Sequence, residues 1–392
     1  MTQREVLSPY DGSVVGAVDC ADEAAVEEAL TTAYALYRDR RAWLPTHERV
    51  GILERTAQLM EAQEEALALQ AAKEGGKPLV DSRIEAARAI DGVRLAAETI
   101  RAEAGEVIPM QGTAAGANRV AFTQREPIGV VVAVSAFNHP LNLIVHQVAA
   151  GVAAGCAVIV KPADDTPLSC LSIVQTLQQA GLPEAWCQFV LPKDIPLAER
   201  LVTDSRVGFF SFIGSAKVGW MLRSKLAPGT RCALEHGGAA PLMLAEDADL
   251  DLALQAVAKG GFYHAGQVCV SVQRVFAHRN VARSFAEHLA ETSNNLKIGD
   301  PARPDTDVGP LIRPGEVDRV DHWVQEAVAG GAELLSGGQR VGHQCYAPTV
   351  LFEPPEDARV SREEIFGPVV CIYAYDDLDE ALRRANTLPF AF

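Results

Sequence analysis

Gly266-Gln267-Val268-Cys269 leads through a glycine turn to a cysteine, just before Val270 to Ala277, which reads as a buried strand. A thiol is a strong nucleophile once ionised, and a nearby carboxylate or its water serves as base. A carboxylate stands 34 residues earlier, in Leu234-Glu235-His236-Gly237-Gly238. The chain has seven other cysteines, Cys20, Cys156, Cys170, Cys187, Cys232, Cys345 and Cys371. Cys269 is set apart by the Gly266-Gln267 step before it and the strand behind it. Most sit in apolar runs, where a cysteine is ordinarily a small buried hydrophobe.

Three further patterns follow runs that read as strands. Ser135-Ala136-Phe137-Asn138-His139-Pro140 comes after a valine run. An Asn at a strand's carboxyl end presents its amide N–H groups to a developing oxyanion, although Asn and Pro also make ordinary turns. In Val160-Lys161-Pro162-Ala163 the Lys suits ribose hydroxyls or phosphate, or simply ends a strand. Phe212-Ile213-Gly214-Ser215 runs through glycine into a helix, whose first backbone N–H groups suit a pyrophosphate. The GxGxxG fingerprint follows no expected strand.

The elements that must position these residues are legible from periodicity. Helical spacing predicts helices over Asp22–Arg38, with Asp22 as N-cap, over Thr46–Glu74, stopped by Gly75-Gly76-Lys77-Pro78, and over Ser82–Ala104. Arg119–Arg125 alternates like a strand. Strands at 129–134, 157–160, 187–191 and 207–213 then alternate with helices at 141–154, 169–180, 198–203 and 216–226. That alternation predicts a doubly wound parallel sheet, which binds ligands at the carboxyl ends of its strands. Strands at 241–244, 270–277 and 369–374, with helices at 250–259, 281–296, 317–329 and 378–385, predict a second α/β unit.

The 392 residues suggest two or three domains, and 48% hydrophobic with 22% charged residues is a globular composition. A net charge of −16 disfavours nucleic acid as the main partner. No charged residue occurs from Ile128 to Val160, yet Asn138, His139, Asn142, His146 and Gln147 interrupt any window of membrane-spanning length, so no membrane association is expected. The cysteines show no CxxC or zinc-ligand spacing, so no metal is expected. The start has no secretory h-region, and a reducing cytoplasm is the expected compartment.

Together with Glu363-Glu364-Ile365-Phe366-Gly367-Pro368, these motifs in this order resemble the aldehyde dehydrogenase superfamily, of the NAD(P)-dependent, non-phosphorylating kind, from Pro9-Tyr10-Asp11-Gly12 to Phe392. The resemblance implies a Rossmann-like NAD domain over residues 1–236, with N-terminal helices and an oligomerisation strand near 119–125, and a catalytic domain over residues 237–392. It implies that Cys269 attacks the aldehyde to give a thiohemiacetal, that Asn138 and the Cys269 N–H hold the oxyanion, and that Glu235 activates the water that hydrolyses the thioester. Lys161 and Glu364 would hold the two riboses, Phe366 the nicotinamide end, and Gly214 with Ser215 the pyrophosphate. Asp164 stands where many members carry a ribose-binding Glu, and a carboxylate there repels a 2′-phosphate, so NAD is expected, with NADP as the alternative.

The spellings Phe137-Asn138-His139-Pro140 and Glu235-His236-Gly237-Gly238 are those of the branch that includes phosphonoacetaldehyde dehydrogenases. They imply a small polar or anionic aldehyde, contacted by His139 and Arg88. An Arg expected before the catalytic Cys in phosphonate-binding members is Val268 here. The family implies a homodimer or homotetramer. Its members continue well beyond the Glu-x-Phe-Gly-Pro motif, so Pro389-Phe390-Ala391-Phe392 reads as a C-terminal break. A chain ending there is expected to be less stable, prone to wrong association and weakly active. Two other readings are a CoA-acylating semialdehyde dehydrogenase, against which Glu235 speaks, and a non-catalytic nucleotide-binding fragment.

Overall fold

Valine and isoleucine runs without a polar face suit strands covered on both sides, and they form the centres of two largely parallel sheets in the computed structural model, which describes residues 2–390. Of the apolar ending, Ala391 and Phe392 lie outside the described residues.

The chain begins with an antiparallel hairpin, β1 (Thr2–Leu7) and β2 (Val14–Cys20). Only Val6 of β1 is buried, which leaves little alternation to read in the sequence. Helix α1 (Glu23–Arg38) starts where expected, with the Asp22 carboxylate accepting the Ala25 N–H. The single helix expected over Thr46–Glu74 is two, α2 (Thr46–Ala62) and α3 (Glu64–Gly75), because Gln63 leaves the helical region at φ −118° and ψ 12°. Helix α4 (Leu79–Arg101) starts earlier than expected, straight after Pro78.

A ribbon of β3 (Val107–Ile108) and β4 (Ala121–Phe122) follows. The strand expected over Arg119–Arg125 is therefore only two residues long. Val120 and Phe122 are exposed, so no buried face extends the pairing.

The first large sheet comprises β5 (Val130–Val134), β6 (Val158–Lys161), β7 (Cys187–Phe189), β8 (Val207–Ile213) and β9 (Arg231–Glu235). The helices between them are α5 (Asn142–Ala153), α6 (Pro167–Gln179), α7 (Ile195–Thr203) and α8 (Ala216–Arg223). The strand order is β7-β6-β5-β8-β9, all parallel. The order reverses between β5 and β8, which makes a crevice at their carboxyl ends. Asn138, Lys161, Gly214 and Glu235 all lie along that edge. Strand β9 is missed by the sequence reading because it is an edge strand whose residues are exposed or half-buried.

The second sheet begins six residues after Glu235. It contains β10 (Pro241–Leu244), then α9 (Leu250–Phe262), β11 (Arg274–His278), α10 (Arg279–Asn294), α11 (Pro314–Ala329) and β12 (Glu333–Ser336). A small ribbon, β13 (Arg340–Val341) with β14 (Cys345–Tyr346), precedes β15 (Thr349–Phe352), α12 (Arg359–Arg362), β16 (Val369–Tyr375) and α13 (Leu378–Ala385). The order is β10-β11-β16-β15-β12, with only β12 antiparallel. The strand expected from Val270 starts at Arg274, because Val268 to Val270 make a turn. Each sheet has its own apolar core, one running from Val26 to Leu222 and the other from Leu244 to Ala385.

Candidate active site

Cys269 lies half-buried on the turn that joins α9 to β11. Three consecutive residues before it are left-handed: His264 at φ 48°, Ala265 at 53° and Gly266 at 70°. That conformation costs a non-glycine residue about 1–2 kcal/mol, so the surroundings must hold it. Gln267, fully buried, does so: its Nε2 donates to the His264 and Pro310 carbonyls at 3.3 and 3.2 Å, and its Oε1 accepts the Ile312 N–H at 2.9 Å. At Gly266 a Cβ would overlap the Gly367 carbonyl, so the nucleophile turn packs directly on the Glu364–Pro368 segment. Gln273 fixes that segment in turn, donating to the Val360 and Glu363 carbonyls and accepting the Ile365 N–H. Both glutamines escape sequence reading, since an isolated Gln carries no burial signal.

Burial raises the Cys269 thiol above its ordinary value, and the charges of Glu364 and then Glu235 add to the rise. Both carboxylates therefore lie within electrostatic reach of the sulfur. Glu235 is exposed at the carboxyl end of β9, and its backbone carbonyl accepts the Gly214 N–H at 3.0 Å. The Glu364 carboxyl sits where a Gly237 Cβ would stand. Burial lifts it to about 7, against the pull of the Gly238 N–H and the Arg319 charge. Its Oε1 is buried without a partner. Glu364→Gln removes a negative neighbour that is ionised at alkaline pH, and so favours thiolate. The midpoint of Cys269 alkylation by iodoacetamide, followed against pH in the cofactor-free protein, is expected to move down. An unchanged or higher midpoint would detach Glu364 from the thiol.

Asn138 is buried after β5. Beside it, the Phe137 ring meets Phe366, itself at φ 48°, edge to face at 5.8 Å. The Asn138 loop is held from below. Glu85 on α4 accepts the Leu141 and Asn142 N–H groups at 2.8 and 2.9 Å, and its other oxygen pairs with Lys77. Both partners are buried, so deleting either would strand a charge at a cost of about 3–5 kcal/mol. Glu74 on α3 does the same for α6, accepting the Leu168 and Ser169 N–H groups.

These two caps bear on where an anion can bind. Three helices follow the strands around the crevice. The first turns of α5 and α6 are occupied by Glu85 and Glu74. The third, α8, begins at Ser215 with no side-chain cap. It is the helix start along this edge left open to a phosphate. Gly214 and Ser215 therefore fit a pyrophosphate. On the flank, Lys161 reaches Asp164 at 2.7 Å and Arg4 of β1 reaches the other oxygen of Asp164 at 2.6 Å. Among the described residues no group of His, Cys, Asp or Glu could hold a metal ion.

His139 faces Tyr263, whose hydroxyl is 3.5 Å from Nε2, and the His264 ring. Burial drives the His139 imidazole well below its ordinary range, helped by Lys77, Arg88 and His146, so it is neutral at pH 7. Arg88 is exposed on α4 and makes no ion pair among the described residues. Its charge acts on His139 and on His146, which also feels Glu235. The structure thus puts Glu364 and Glu235 within electrostatic reach of Cys269, Arg88 within reach of His139 and His146, and Phe366 against Phe137, the neighbour of Asn138. Lys161 and Asp164 lie farther along the first sheet's edge.

The family model described as "Aldehyde dehydrogenase family" matches residues 1–392. The chain is 36% identical to the 3-sulfolactaldehyde dehydrogenase of Priestia aryabhattai, over 98% of this chain and 80% of that protein. Among solved structures, it superposes on aldehyde dehydrogenase 21 from Physcomitrella patens, in complex with the reaction product succinate, with a TM-score of 0.94 at 34% identity, covering 99% of this chain and 80% of the other. Glyceraldehyde-3-phosphate dehydrogenase from Methanocaldococcus jannaschii, complexed with NADP, gives a TM-score of 0.92 at 32% identity, covering 98% and 83%.

Proposed function

We propose that this chain, which belongs to the aldehyde dehydrogenase family, oxidises a small anionic aldehyde to its carboxylic acid through a covalent intermediate on Cys269. The observation that carries the reading is the strained turn bearing Cys269, locked by Gln267 and Gly266 against the Glu364 segment and within electrostatic reach of Glu235. Cys269 Sγ adds to the aldehyde carbon, and the oxyanion is held by the Asn138 amide and the Cys269 N–H. When bound, NAD or NADP supplies the hydride acceptor. Glu235 then takes a proton from the water that attacks the thioester, and the acid leaves with the thiolate regenerated.

Gly214 and Ser215 hold the pyrophosphate, Lys161 and Asp164 the adenosine ribose, and Glu364 and Phe366 the nicotinamide end. Residues 1–236 form the cofactor half and 237–392 the nucleophile half. The β3–β4 ribbon, with Val120 and Phe122 exposed, is the arm that pairs with a second copy. Among the described residues no helix is long and apolar enough to cross a membrane. All eight cysteines are free thiols, which suits a reducing cytoplasm.

The anionic substrate rests on Arg88, which pairs with no carboxylate among the described residues and acts on both His139 and His146. The related proteins point the same way: one is named for a sulfonated aldehyde and another holds succinate. A charge-assisted hydrogen bond of this kind changes affinity by about 10- to 100-fold. Arg88→Ala is therefore expected to lower kcat/KM for a carboxylated or phosphonated aldehyde by that factor and to spare a neutral aldehyde of similar size. Equal loss on both, or a wild-type preference for the neutral one, would overturn the assignment.

A further inference from the structure

We infer that Arg4, on the first strand of the chain, completes the adenosine-ribose subsite and lets it take a dinucleotide with a 2′-phosphate as well as one without. The inference rests on the proposed placing of that ribose at Lys161 and Asp164.

A lone carboxylate at this place would repel a 2′-phosphate, but Asp164 is not alone. Lys161 Nζ stands 2.7 Å from Oδ1 and Arg4 Nη1 stands 2.6 Å from Oδ2, so both carboxylate oxygens face a cation. The three side chains together carry +1. Burial alone would raise the Asp164 carboxyl, and the two cations overcome it and hold it below its ordinary value, so it stays ionised and paired at neutral pH. Arg4 Nη1 is buried against Oδ2, and that contact helps to hold the Asp164 carboxyl down. A guanidinium carries five N–H donors, and the contact with Asp164 is through Nη1, so an added phosphate oxygen can accept from the others and meets a net positive trio.

The position of Arg4 is set by the fold. The hairpin β1–β2 is anchored on the first sheet by Ala21, whose N–H donates to the Leu191 carbonyl and whose carbonyl accepts from Lys193. Val6, Val18, Cys20 and Leu191 form a small separate core under it. A third cation stands nearby: Arg313, ahead of α11, pairs with Asp165, and the Asp164 charge is felt at its guanidinium. Asp165 is thereby compensated as well, which leaves the flank without a free carboxylate to reject phosphate.

Calorimetry with 2′,5′-ADP and with 5′-ADP tests this without turnover. Wild-type protein is expected to bind 2′,5′-ADP at least as tightly as 5′-ADP. Arg4→Gln should weaken 2′,5′-ADP by about 10- to 100-fold, the value of a charge-assisted contact, and leave 5′-ADP nearly unchanged. Arg4→Lys keeps the charge and should retain most of the 2′-phosphate preference. Weak wild-type binding of 2′,5′-ADP, or equal loss of both ligands in Arg4→Gln with Arg4→Lys no better, overturns the role of Arg4. Lys161→Ala separates this from the parent reading: it should weaken both ligands. Unchanged binding of both would move the ribose elsewhere, and the inference would fall with it.

Discussion

Cys269→Ala is expected to lower aldehyde turnover by about 10⁴-fold or more, the scale on which removing a covalent nucleophile acts, while the protein still folds and still binds dinucleotide. The side chain is half-buried on a turn whose conformation is fixed by its neighbours and not by the sulfur. Truncation therefore removes reactivity and little packing. Unlike it, Cys170, Cys187 and Cys371 are fully buried, out of reach of a substrate, which leaves them inert. Steady-state rates, a thermal melt and a calorimetric NAD titration on the variant protein check the claim. Retained turnover in Cys269→Ala would return the cysteine to a structural role.

Glu235→Gln is expected to lower the steady-state rate by about 10²- to 10⁴-fold, as for a lost general base, and to preserve the first turnover. The separation follows from position. Glu235 ends an edge strand and is exposed to water, while the proposed mechanism assigns the oxyanion to Asn138 and the Cys269 N–H. Rapid mixing should then show a burst of NADH near one per site followed by a stall. Loss of the burst would assign Glu235 to thiol activation, and an unchanged steady state would remove its role in hydrolysis.

The parts of this molecule legible in the sequence are those decided by local chemistry. The runs at 130–134, 207–213 and 369–375 lack a polar face, and each is a central strand. Asp22 caps the helix it precedes because its carboxylate needs only the N–H three residues on. Asn138, Lys161 and Gly214 stand out because each follows or ends an apolar strand, and parallel strands bring such ends to one edge, whereas Cys269 stands out by the glycine turn before it. What stayed hidden depends on partners distant in the chain. Arg4 is an ordinary charged residue until the hairpin sets it against Asp164. Gln267 and Gln273 look like surface residues, yet each is buried to satisfy backbone groups of another segment. Glu74 and Glu85 lie among acidic helices whose polar faces read as solvated surface, yet both are buried caps for helices of the neighbouring sheet. The strand expected over 119–125 failed for the converse reason: its alternation is real, but no buried face receives it.

A covalent intermediate on Cys269 that Glu235 resolves is tested most directly by mass spectrometry. Glu235→Gln is mixed with an aldehyde and NAD, quenched in acid and digested. The peptide containing Cys269 is expected to gain the mass of the acyl group, hydroxylamine to remove it, and wild-type protein to show far less of it. An acyl group on another residue, or an unmodified Cys269 peptide after a full burst of NADH, would rule out this intermediate.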